Sequence, residues 1–222
     1  MTVDTKLVEE IVRQVIALKT AQNTQSQPKS NELPIIPVGI SARHVHLSRK
    51  DMDTLFGKDS ELTPMKDLMG GQFASKEQVT IIGPSLRPIE KVRVLGPLRK
   101  QTQVEISCTD AFVLKVKPPV RPSGDITGSA GITIVGPKGV VKLEEGCIIA
   151  NRHIHMAPAD ASRYGIKDGD YVNVLAEGER RTMLYGVQIR VKPEFTLEMH
   201  IDTDDANAIG FHGKTEVTML KR

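Results

Sequence analysis

From Pro34 onward, apolar and polar positions alternate over short runs that Gly, Pro, Asp and Asn interrupt: "VTIIGP", "KVRVLGP", "TQVEIS", "FVLKVKP", "ITIVGP", "YVNVL", "GVQIRV", "TLEMHI" and "EVTML". Period-two runs rich in β-branched residues and bounded by turn formers predict strands, and this many short strands predicts a barrel or sandwich. "SRKDMDTLFG" and "APADASRYGI" lack that alternation and read as short helices or turns. The N-terminal segment has a different period. Over residues 4–19 the residues Leu7, Val8, Ile11, Val12, Val15, Ile16 and Leu18 form one broad helical face, opposite Glu9, Glu10, Arg13 and Gln14. The polar stretch "TAQNTQSQPKSNELP" follows and predicts a flexible linker. A short tethered helix of this kind is marginal alone, so it either folds back on its own chain or docks its apolar face on a partner.

Within the β region the chain repeats itself. "ISARHVHLS" (40–48) and "IANRHIHMA" (149–157) spell R-H-x-H twice and hold four of the six histidines. "HVHLSRKDMDTLFG" parallels "HIHMAPADASRYGI", "VEISCTDA" aligns with "MHIDTDDA", and "VTIIGP" echoes "ITIVGP". The echo follows the first R-H-x-H but precedes the second. The expectation is a mostly β fold with short helices: two related β-barrel domains joined by a permuted connection, after an amphipathic N-terminal helix and linker. Residues 1–33 then form the helix and linker. Residues 34–222 form the barrels, spanning approximately 47–150 in one and 151–222 with 34–46 in the other.

Strand geometry gives the repeat chemical content. Residues i and i+2 share a face, roughly 6.6 Å apart along the strand. His44 therefore projects with His46, and His153 with His155, while the apolar residues between them take the other face. Two same-face imidazoles can converge on one ion with a further donor. The aligned repeat supplies that donor in each half, placing Glu105 opposite His200. The triplets His44, His46, Glu105 and His153, His155, His200 each leave a coordination position open, as catalytic metal sites do. Imidazole suits zinc, copper, iron or nickel, and zinc leads. Arg99 lies six residues before Glu105, where its guanidinium could hold a phosphate or carboxylate; on charge pattern alone a solvated loop arginine is an equal reading. Arg43 and Arg152 precede the histidine pairs by one residue and should face away, in a structural role or one supporting the site from behind. His212 has no counterpart in the repeat and reads as structural or supporting.

Composition narrows the function classes. A net charge of +3 with dispersed basic residues suits an anionic small molecule. The chain has no Trp and few aromatics, which argues against base stacking and nucleic-acid binding. Cys108 and Cys147 stand alone, so no disulfide scaffold or thiolate zinc site is indicated and a reducing compartment is expected. No signal peptide or membrane span is expected from the spaced apolar residues at the N-terminus. With neither G-x-x-x-x-G-K-[ST] nor G-x-G-x-x-G present, ATP hydrolysis and dinucleotide redox chemistry lose support.

On "SARHVHLS", "GPLRKQTQVEIS", "NRHIHMAP" and "LEMHIDTDDANA" the chain resembles the PduL-type phosphate propanoyltransferases, the phosphotransacylases of bacterial microcompartments. The resemblance covers residue 35 or so to the C-terminus. It implies paired β-barrels and two zinc ions, one on His44, His46 and Glu105 and the other on His153, His155 and His200, with Arg99 on phosphate. The implied reaction converts acyl-CoA (propionyl-CoA or acetyl-CoA) and orthophosphate into acyl phosphate and CoA by direct attack, without an acyl-enzyme. On that reading the Glu105 site handles the CoA sulfur, and the all-histidine site, with its greater positive charge, orients phosphate. Residues 4–19 resemble an encapsulation peptide that docks on microcompartment shell or core proteins. This implies a location in the bacterial cytoplasm inside a microcompartment, and the exposed apolar face implies a homo-oligomer. A dinuclear zinc hydrolase and a structural zinc-binding microcompartment protein remain alternatives on sequence alone.

Overall fold

The computed structural model describes residues 33–220; the amphipathic segment at 4–19 and its linker lie outside the described residues. Fourteen strands and four α-helices follow in chain order: β1 (Ile35–Ile40), β2 (His44–Ser48), α1 (Arg49–Phe56), β3 (Pro64–Asp67), β4 (Phe73–Ile82), β5 (Pro88–Arg99), β6 (Gln103–Glu105), α2 (Cys108–Leu114), β7 (Val120–Arg121), β8 (Ala130–Val135), β9 (Val140–Ala150), β10 (His153–Met156), α3 (Pro158–Tyr164), β11 (Tyr171–Ala176), β12 (Thr182–Val191), β13 (Glu198–Ile201), α4 (Thr203–Ala208) and β14 (Glu216–Leu220).

Two six-stranded barrels result. One runs β4–β5–β2–β6–β9–β8 and closes back on β4, with β3 and β7 attached to β4 and β9. The other runs β1–β13–β10–β12–β11–β14 and closes on β1. The pairings correspond strand for strand. β2 is parallel to β5 and antiparallel to β6, as β10 is parallel to β12 and antiparallel to β13. β9 therefore corresponds to β1. In the first barrel that strand comes last in the chain; in the second it comes first, which is the permuted connection.

The permutation makes the chain cross twice between barrels, from β1 into β2 and from β9 into β10. Both crossings are the R-H-x-H stretches. At each, the arginine ties the crossing to the helix of the barrel being entered. Arg43 makes a bidentate pair with Asp110 of α2 (2.8 Å from Nε and 2.8 Å from Nη2), and Arg152 pairs with Asp205 of α4 at 3.3 Å. Both arginines thus serve the structural role expected of them.

Capping explains the helices. Ser48 accepts from the Asp51 amide, Ser107 and Asp110 satisfy each other's amides reciprocally, and Asp202 accepts from the Asp205 amide. The box at Ser107 corrects one sequence expectation. "FVLKVKP" alternates as a strand would, yet Phe112–Leu114 complete α2, because the cap starts a helix that takes in those residues. A second correction concerns "VTIIGP" and "ITIVGP". They are not equivalent strands of two barrels but antiparallel neighbours in one, with Ile81 facing Ile134.

Each barrel has its own apolar interior. Val45, Leu47, Ile81, Val94, Val104 and Ile134 fill one, and Ile36, Ile154, Met156, Val174, Ile189 and Met199 the other. Val45, Leu47 and Val104 point into the first core, so His44, His46 and Glu105 point out of it. Ile154, Met156 and Met199 do the same for His153, His155 and His200. All but His153 and His200 are nevertheless buried. Covered polar side chains outside a core form a site.

Candidate functional site

Strand register assembles both triplets. Glu105 of β6 faces His44 of β2, and His200 of β13 faces His153 of β10. In each triplet one ligand atom per residue lies within 4.8 Å of the others, so the structure brings together all six sequence-derived candidates in two groups of three.

Hydrogen bonds fix which ring nitrogen is free. His44 Nδ1 lies 2.8 Å from the Ala42 carbonyl and His153 Nδ1 lies 2.8 Å from the Asn151 carbonyl. A carbonyl only accepts, so both Nδ1 atoms carry protons and both Nε2 atoms keep a lone pair. His44 Nε2 then meets Glu105 Oε2 at 3.5 Å, lone pair against lone pair, with His46 Nε2 4.0 Å from Oε1. Only a proton or a cation reconciles that contact. In the second triplet both ring nitrogens of His155 are buried without a hydrogen-bond partner. Its ring packs on Phe195, centroids 4.0 Å apart, and closes on His153 (4.5 Å) and His200 (4.7 Å). An orphaned buried polar atom costs about 1–3 kcal/mol, a cost that metal ligation removes. The donor sets and the orphaned nitrogens fit two divalent ions of the zinc type.

The electrostatics favour ligating forms. Burial, with the charges of His44 and Arg99, lowers His46 to about 3. Burial lowers His153 to about 4 and, with the neighbouring histidines, Arg190 and Lys192, lowers His155 to about 2. These rings stay neutral near pH 7. Burial works against the Glu105 carboxylate, but His44, His46 and the Ser123 hydroxyl outweigh it and hold Glu105 far below the carboxylate range. The same carboxylate, with the Ala42 carbonyl, outweighs burial at His44 and raises its pKa.

The clusters share one environment. Glu105 acts on His153 and Arg190 acts on Arg99. The Thr109 amide of one barrel donates to Asp204 of the other at 2.8 Å. Gly70, in the turn before β4, has a positive φ of 70°, and a Cβ there would sit 3.2 Å from the Phe195 ring. Only glycine suits that turn and that approach. Arg99 reaches the first cluster through Ser123: its Nη1 donates to Ser123 Oγ (3.2 Å), which donates to Glu105 Oε1 (2.7 Å), and its Nη2 donates to Gln72 (3.4 Å).

This sequence-derived set falls within residues 37–212, which match the family described as phosphate propanoyltransferase. The chain belongs to the phosphate propanoyltransferase family. It is 63% identical to the phosphate propanoyltransferase of Lachnoclostridium phytofermentans over 83% of this chain and 87% of that one. It is 60% identical to that of Thermotoga maritima over 79% and 84%. For that of Rhodobacter capsulatus the figure is 48% over 97% of both chains. As a member of a phosphate propanoyltransferase family, the chain is an acyltransferase of the acyl-CoA and phosphate class. Among the described residues no helix is long and apolar enough to cross a membrane.

Several residues of this propanoyltransferase site escaped the sequence pattern. Arg190 of β12 faces His155 in register, is half-buried, and has no hydrogen bond or ion pair among the described residues. Gln103 donates to Glu105 Oε1 at 2.5 Å, and Glu198 lies 3.1 Å from His200 Nε2. Extending the aligned repeat two residues N-terminal from Glu105 and His200 would have found Gln103 and Glu198. Glu198 also removes the charge difference that was to divide sulfur from phosphate handling, because the all-histidine cluster has a carboxylate at its edge. His212 is exposed, its Nδ1 bonded to the Gly210 carbonyl.

Acid should destabilise the metal-free protein with a definite sign. His46, His153 and His155 have native pKa values below the unfolded 6.5, so unfolding takes up protons as pH falls below 6.5. Glu105, with its lowered pKa, adds to this below its unfolded value of 4.5. His44 opposes them only above 6.5, where its raised native pKa is traversed. Calorimetry on chelator-treated protein should show Tm falling from pH 6.5 to 4, by more than about 5 °C. A flat or rising Tm would contradict the neutral buried rings.

Proposed function

We propose that this chain converts acyl-CoA and orthophosphate into acyl phosphate and CoA at a site formed by the two triplets, with Arg99 as the phosphate ligand. One observation supports this most: two pseudo-equivalent three-donor clusters adjoin, and an arginine approaches one of them through a single serine. Zinc on His44, His46, Glu105 and on His153, His155, His200 would supply Lewis acidity toward phosphate and the thioester carbonyl, and affinity for thiolate sulfur.

The chain's own groups would do the rest. Arg99, with Arg190 facing His155 from β12, gives the site positive walls that gather and align a phosphate. A phosphate oxygen attacks the thioester carbon, the carbon–sulfur bond breaks, and the CoA sulfur leaves with the electron pair. No cysteine takes part. Burial, then Asp110, pushes the Cys147 thiol up to about 12, and burial with Asp202, Asp204 and Asp205 raises Cys108. Both are held as thiols and are poor nucleophiles. The acyl group is propanoyl or acetyl, which differ by one methylene and so by about 1–3 kcal/mol of pocket energy.

Residues 1–33 read as an encapsulation-type peptide and linker outside the catalytic barrels of 34–222. Residues 4–19 would dock on microcompartment shell or core proteins and bring copies of the chain together. The support is their amphipathic sequence pattern alone.

Free CoA should appear from propionyl-CoA only when phosphate is added, whereas phosphate-independent release would establish a hydrolase instead. Arg99→Ala should raise the phosphate KM by about 100-fold, a charge-assisted bidentate contact, with a smaller effect on acyl-CoA. Deleting residues 1–27 should leave turnover unchanged while releasing the enzyme from isolated microcompartments; full retention would overturn the docking role.

A further inference from the structure

The two third ligands differ in chemistry, one a carboxylate and the other an imidazole, and each is touched by the residue two positions earlier on its own strand. Gln103 and Glu198 occupy equivalent registers, facing His46 and His155. Their hydrogen-bonding characters are opposite. Gln103 offers an amide N–H to the anionic Glu105, while Glu198 offers a carboxylate oxygen to His200 Nε2 at 3.1 Å.

The strand alongside β13 is shaped for that carboxylate. Gly39 of β1 faces His200, and a Cβ at Gly39 would lie 2.7 Å from Glu198 Oε1 and 3.0 Å from Cδ. The equivalent residue in the other barrel, facing Glu105, is Ile148, a fully buried side chain on the same outward face as Glu105, where Gly39 has none. Room for a carboxylate therefore exists beside His200 only through a missing side chain.

We infer that Glu198 is a positioning residue of the second metal cluster: it accepts the Nε2–H of His200 and holds the ring with Nδ1 as the free donor. Carboxylates that hold the far nitrogen of a ligating histidine fix its tautomer and orientation, and their loss lowers metal affinity about 10–100-fold. Gln103 performs the matching task for Glu105. Each barrel thus pairs its third ligand with a partner of complementary hydrogen-bonding sense. The inference rests on the two-metal reading above.

The test is zinc affinity, measured on the full chain by competition with a chromophoric chelator. Wild type should bind two ions. Glu198→Ala should weaken one of them at least tenfold and leave the other unchanged. Glu198→Gln, which keeps a carbonyl acceptor, should recover part of the loss. Gly39→Ala should reproduce the weakening with Glu198 intact, because the new methyl group displaces only the end of a flexible side chain. A wild type that binds two ions beside a Glu198→Ala protein that binds both equally well would overturn the inference alone. A wild type with fewer than two would overturn the two-metal reading and the inference with it. Unchanged thermal unfolding of the metal-free variants would place the effect in the site rather than in folding.

Discussion

If β6 slipped by one residue against β2, Val104 would turn out of the barrel and Glu105 would turn into it, away from His44 and His46. The pleat has a period of two, so register alone decides which face a side chain serves. Apolar burial locks that register. Val45, Leu47 and Val104 are fully buried on the core face, and exposing each would cost roughly 2 kcal/mol. The same holds for Ile154, Met156 and Met199 in the other barrel. The ligands are thus held in place by the hydrophobic residues between them, and the geometry of both triplets follows from core packing that contains no ligand.

The crossings place the two triplets side by side. Because β1 completes the second barrel and leads into the first, and β9 completes the first and leads into the second, the second barrel closes only with a strand that precedes the whole first barrel in the chain. The histidine pairs begin immediately after each crossing, so they lie where the chain passes from barrel to barrel. Arg43 and Arg152 hold the crossings to α2 and α4, and the Ala42 and Asn151 carbonyls within them orient His44 and His153. The repeated arginine therefore belongs to the site as its anchor. Among the described residues it makes no hydrogen bond or ion pair with a candidate ligand; its partner is Asp110 or Asp205.

Features with local causes were legible in the sequence. The same-face histidine pairs follow from spacing, and Glu105 and His200 followed from an internal alignment that strand register reproduces. The short helices after β2 and β10 were legible from their broken alternation. Features that depend on which strands become neighbours were not. "VTIIGP" and "ITIVGP" resemble each other because β-branched strands draw on few residue types, and that likeness cannot separate equivalent strands from paired ones. "FVLKVKP" failed because alternation over a few residues yields to a strong cap. Arg190 became visible only when β12 was set beside β10, since nothing near it in the chain marks it, whereas Glu198 stood just N-terminal to the aligned repeat, two residues before His200.

Crystals of the full chain grown with zinc, with diffraction recorded on both sides of the zinc absorption edge, test the paired-site arrangement most directly. Two anomalous peaks per chain are predicted, one within bonding distance of His44, His46 and Glu105 and one within bonding distance of His153, His155 and His200. A single peak shared by both groups, or peaks away from these side chains, would contradict it.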